Sequence, residues 1–80
     1  MNFFQLHQNV LRNHLGAKII CFKVDNQGTL IESVIIGKDT KIPWALIEDC
    51  QAKFDKSDCD VITEKAYKSH YEDANYIISQ

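Results

Sequence analysis

The sequence predicts an α+β fold: an N-terminal helix, an antiparallel β-hairpin, one or two further helices packed on one sheet face, and room for a short C-terminal edge strand. Three observations lead there. Apolar residues recur at helical spacing through residues 3–15. A polar turn, Asp25-Asn26-Gln27-Gly28, then separates two segments rich in β-branched and apolar residues. Finally, Pro43 opens a stretch with a second helical stripe.

Taken in order, Asn2 is a helix cap, with Gln5 three residues on completing a capping box and Met1 facing Leu6 as a staple. Phe3, Leu6 and Val10 form one stripe, and Phe4, Leu11 and Leu15 a second. Arg12 and His14 suit the negative end of a helix dipole, and Gly16 supplies a left-handed stop, so helix is expected over 3–15. Ala17 to Val24 carries apolar residues on both faces and reads as an interior strand. Thr29 to Ile36 returns as its partner, making 17–36 a hairpin with a four-residue loop. Gly37-Lys38-Asp39-Thr40 interrupts the pattern.

From Pro43, the residues Trp44, Ile47, Cys50 or Gln51, and Phe54 give a stripe, and Asp49 and Lys53 an i,i+4 ion pair, so helix is expected over 43–54. The last quarter supports two readings. Ser57 and Asp60 have capping-box spacing, and Ile62, Ala66, His70 and Ala74 share a helix face; with the strand-like content of residues 75–79, this gives a helix over about 60–72 followed by a strand over 75–79. The alternative is a single helix running to 78, along the stripe Tyr67, Tyr71, Ala74 and Ile78.

Eighty residues, 45% apolar and 25% charged, suit one globular domain over 1–80 and argue against disorder. The longest apolar run, Ile19 to Phe22, is far short of the roughly 20 residues that a membrane span requires. No charged head and apolar run form a signal peptide, and Cys21, Cys50 and Cys59 are odd in number and irregular in spacing. Reduced thiols in a cytoplasm are the expectation. The net charge of −2 is unevenly spread. Residues 1–24 hold Arg12, Lys18 and Lys23 and no acid, whereas residues 55–80 hold six acids and three lysines, an asymmetry that suits pairing within one chain or between two copies.

No complete chemical motif is present. Carboxylates flank Cys59 in Ser57-Asp58-Cys59-Asp60 and oppose thiolate formation, while Cys21 and Cys50 fall within apolar elements. On one helix, His7 and His14 would stand about 10 Å apart, too far to share a zinc ion, and the cysteines lack C-x-x-C spacing, so no metal site and no cofactor are expected. Glu48-Asp49, Glu72-Asp73 and Asp58/Asp60 are read as solvated pairs, and the glycines are too isolated for a phosphate loop. Helices over 43–54 and 60–72 would resemble a helix-turn-helix bearing Lys65 and Lys68. However, the acidic chain and the acids Asp58, Asp60 and Glu64 argue against nucleic acid.

What remains is a non-catalytic protein–protein interaction module: a small regulator, inhibitor or adaptor whose partner is a second copy of itself or another protein. Its expected surface is Phe4, Trp44, Tyr67 and Tyr71, because the aromatic stripes exceed what one helix face buries and such rings favour interfaces. The rival readings are a small-molecule pocket between sheet and helices, lined by Trp44, His70 and a tyrosine, and a DNA-binding regulator.

Overall fold

The computed structural model describes residues 1–14, 16–49 and 54–80. Five strands, β1 (Asn2–Leu6), β2 (Ala17–Val24), β3 (Leu30–Gly37), β4 (Ala45–Asp49) and β5 (Cys59–Ile62), form one antiparallel sheet in the order β4-β3-β2-β1-β5. A short helix, α1 (Gln8–Leu11), follows β1, and a fifteen-residue helix, α2 (Glu64–Ile78), follows β5. The fold is therefore mainly sheet with one long C-terminal helix. It corrects the expectation of an N-terminal helix, a lone hairpin and further helices.

The N-terminal helix expected over 3–15 is a strand followed by a single helical turn. β1 lies between β2 and β5 and is buried on both faces: Phe3 points to one and Phe4 and Leu6 to the other. A strand buried on both sides loses its period-two alternation, and its apolar run then mimics a helix in sequence. Among the described residues of that stretch, only Gln8–Leu11 is helical. His7 precedes it without a side-chain cap, and Leu11 is driven into the core.

β2 and β3 pair over 17–36 in the sheet centre. Asp25 holds their turn, its carboxylate accepting from the N–H groups of Gln27 (2.9 Å) and Thr29 (2.8 Å). Gly28 takes φ +85°, a left-handed conformation that favours glycine.

The helix expected over 43–54 is replaced, over its described part, by β4, with Ala45 and Ile47 facing inward and Leu46 and Glu48 outward. Pro43 sits just before this strand, where its missing N–H breaks no ladder bond. Cys50, Gln51 and Lys53, and with them the Asp49–Lys53 pair, lie outside the described residues.

In the last quarter, the helix over 60–72 and the strand over 75–79 are both corrected. Residues 59–62 form β5, and the helix runs unbroken to Ile78, as the single-helix alternative had it. Thr63 provides the cap, its Oγ1 accepting from Ala66 N–H at 3.0 Å. Ser57 instead belongs to a 3-10 turn (Lys56–Asp58), where its N–H and hydroxyl both donate to Asp55. With β4 and β5 as strands, the described residues of this region form no helix-turn-helix.

Each sheet face carries its own core. α2 covers the first, where Tyr67 and Ala74 pack with Phe3, Cys21, Val34, Ile36 and Ala45. On the second, Phe54 stacks on Phe4 and Phe22 with ring centroids 5.0 and 5.3 Å apart, and Leu11 closes over Leu6 and Ile20. Each such ring contributes roughly 1.5–3 kcal/mol on burial. Among the described residues, no helix is long and apolar enough to cross a membrane.

Candidate functional site

Two features of the surface stand out: a polar cleft beside α2 and the open edge of β4. The cleft arises from the sheet register. Ile62, Phe3, Lys23 and Glu32 lie in one cross-strand row on the face that α2 covers. Phe3 is buried in this row, whereas Lys23 and Glu32 are charged residues in mostly apolar strands. α2 crosses above and adds Glu64, Tyr67, Lys68 and Tyr71, which follow at i, i+3, i+4 and i+7 along one flank. With Phe3, Lys23 and Glu32 they line an open cleft of about 230 Å³.

Tyr67 forms the floor. It is 3% exposed, its ring lies 5.1 Å from that of Phe3, and its hydroxyl donates to Glu32 Oε1 at 2.6 Å. Burial first, and then the bond to Glu32, push the phenol well above its ordinary range, so it remains a hydrogen-bond donor at neutral pH. Lys68 lies 3.9 Å from Glu64 on the exposed rim, an i,i+4 pair worth at most a few tenths of a kcal/mol.

The β4 edge is bordered by apolar side chains. Ile42 is 73% exposed, Leu46 46% and Trp44 36%. The loop before the strand is fixed, because the Asp39 carboxylate accepts from the N–H groups of Lys41 (2.8 Å) and Ile42 (3.1 Å). Trp44 lies over Gly37, where any Cβ would collide with the indole, and over Gly16, where a Cβ would come 3.4 Å from Cζ2.

The four residues expected to form one interaction surface are not together. Phe4 and Tyr67 are buried in separate cores on opposite sheet faces, and Tyr67 meets the surface only as the floor of the cleft. Trp44 stands beside β4, and Tyr71 on the rim of the polar cleft. The expected pairing of Trp44 with His70 in a pocket also fails. His70 lines a different hollow with Lys18, Ile19, Ile36, Asp73, Tyr76 and Ile77. Its Nδ1 is buried without a hydrogen-bond partner among the described residues.

Reasoning from sequence missed Lys23 and Glu32. The turn at Asp25–Gly28 held only part of the signal: counting outward from it sets Lys23 opposite Leu30, and the register shift between Lys23 and Val24 brings Glu32 there instead.

The described cysteines are poor nucleophiles. Burial pushes Cys21 up to about 12, and burial with the nearby carboxylates of Asp58, Asp55 and Asp60 pushes Cys59 up to about 11. Both are free thiols. His7 and His14 do not share a helix: His7 precedes α1, its Nδ1 3.0 Å from Asp60 Oδ2, and His14 follows it. Among the described residues, no cluster of three or more His, Cys, Asp or Glu has the arrangement of a metal site.

Comparison with known proteins gives no matching family model, no significantly similar curated protein and no significantly similar solved structure.

Proposed function

We propose that this chain is a non-catalytic protein-binding module that associates through the outer edge of β4, with a second copy of itself as the partner. One observation carries the reading. β4 ends the sheet, so its outer row of N–H and C=O groups has no strand partner among the described residues, and exposed Ile42, Trp44 and Leu46 stand alongside. Such an edge is a template for strand addition.

The strand's own sequence suits a two-fold partner. Antiparallel pairing centred on Ile47 sets Leu46 opposite Glu48 and Ala45 opposite Asp49 of the other copy, so no acid opposes an acid. β5 is the other edge, but it has only four residues, and the Asp60 carboxylate within it already meets His7. The protonated thiols favour binding over nucleophilic chemistry.

Light scattering after size exclusion, over a wide concentration range, tests the proposal. A dimer is expected for the native chain and a monomer for Leu46→Glu, which sets an acid opposite Glu48 of the other copy, with unchanged circular dichroism. A native chain that stays monomeric throughout, or a Leu46→Glu variant that stays dimeric, overturns it.

A further inference from the structure

Beyond association through β4, we propose that the cleft between α2 and the sheet binds a small zwitterion, an apolar or aromatic α-amino acid, with its carboxylate on Lys23 and Lys68 and its ammonium on Glu32. The starting observation is Lys23. Its side chain lines the cleft half-buried, and its ammonium has neither a hydrogen-bond nor an ion-pair partner among the described residues. Glu32 lies directly across the strand pair from it, yet the hydroxyl of Tyr67 engages that carboxylate. An ammonium that lines the cleft without a partner is free to take an incoming carboxylate in a charge-assisted hydrogen bond.

Charge and size narrow the ligand. Two lysines, Lys23 and Lys68, face two carboxylates, Glu32 and Glu64, around one opening. A ligand with a single charge would satisfy one pair and confront the other, whereas a zwitterion satisfies both. The 230 Å³ of the cleft lies below the roughly 300–1,000 Å³ usual for drug-sized ligands, which favours an occupant of amino-acid size. Phe3 and Tyr67 give the cleft an apolar floor, and Tyr71, 36% exposed at the rim, offers a ring face to an apolar side chain.

The test is a titration of the full ¹⁵N-labelled chain with L-phenylalanine, followed by amide chemical shifts. 3-Phenylpropionate and phenethylamine, which each lack one of the two charges, serve as comparisons. Saturable shifts are expected at Lys23, Glu32 and Tyr71, with both analogues at least about tenfold weaker. Lys23→Met should weaken L-phenylalanine by a similar factor while leaving the rest of the spectrum in place. If that variant unfolds, Lys68→Met on the exposed face of α2 supplies the same reading. The proposal is overturned by the absence of saturable shifts up to about 10 mM, by shifts centred elsewhere, by an analogue that binds equally well, or by a folded lysine variant that binds unchanged.

Discussion

Replacing Tyr67 with Phe removes one oxygen atom and leaves the ring in place, so it isolates the hydrogen bond beneath the cleft. That bond is short, at 2.6 Å, and its acceptor is a carboxylate. Hydrogen bonds to charged groups contribute about 1.5–3 kcal/mol. Glu32 is only half-buried and can recover water, which places the expected loss near the lower end, about 1.5 kcal/mol. For a chain of this size, each kcal/mol moves the melting temperature by roughly 4–8 °C, so Tyr67→Phe should melt about 6–12 °C lower. Urea unfolding followed by circular dichroism at neutral pH gives the free energy directly, with the slope against urea unchanged. The partner is tested by a cycle with Glu32→Gln: the double variant should lose less than the two single losses together, by at least about 0.5 kcal/mol. A Tyr67→Phe variant within about 0.5 kcal/mol of the native chain, or strict additivity in the cycle, would refute the reasoning.

Two further predictions concern the thiols and the Trp44 contact. Above pH 9 an unfolded thiol releases its proton, while folded Cys21 holds its own up to about 12. The folded state then binds more protons than the unfolded state. Stability contributed by Cys21 is fully present below pH 9 and falls with rising pH by about 1.4 kcal/mol per unit through that window. Cys59 acts in the same direction between pH 9 and about 11. Urea midpoints that hold constant or rise across this range would contradict the assignment. Gly37→Ala puts a methyl group where the indole of Trp44 lies, at a cost of about 1–3 kcal/mol if the ring is forced to move. Trp44 is the single tryptophan, so its fluorescence reports the displacement; unchanged emission and stability would show that the contact is loose.

How far the sequence revealed the fold depended on whether each segment's pattern was local. The β2–β3 pair was legible because β-branched residues flank a turn whose Asp25 and Gly28 both act within a few residues. β1 was not, because Phe3 and Phe4 are adjacent residues that serve opposite cores, and only the neighbouring strands β2 and β5 make that arrangement favourable. In β4, Trp44 and Ile47 fell at helical spacing by coincidence, while the true inward pair was Ala45 and Ile47. At the C-terminus, the strand-like content of residues 75–79 gave way to tertiary contact, since Ala74 and Ile77 pack on the sheet from a continuous helix.

The same limit applied to the candidate sites. Aromatic residues can be counted in a sequence, but which of them are buried depends on packing, and Phe4 and Tyr67 proved to be core. Lys23 and Glu32 became neighbours only through strand register.

The position of β1 also bears on how the chain emerges from the ribosome. Phe3 pairs with Ile62, so the first of the five strands waits for the fifth. At about 5–20 residues per second, that interval lasts roughly 3–12 s. Throughout it the β2 side of β1 can close while the other side stays bare, with two phenylalanines beside it. Nascent chains of this protein should accordingly recruit holdase chaperones until β5 is released, and lose them abruptly once it docks.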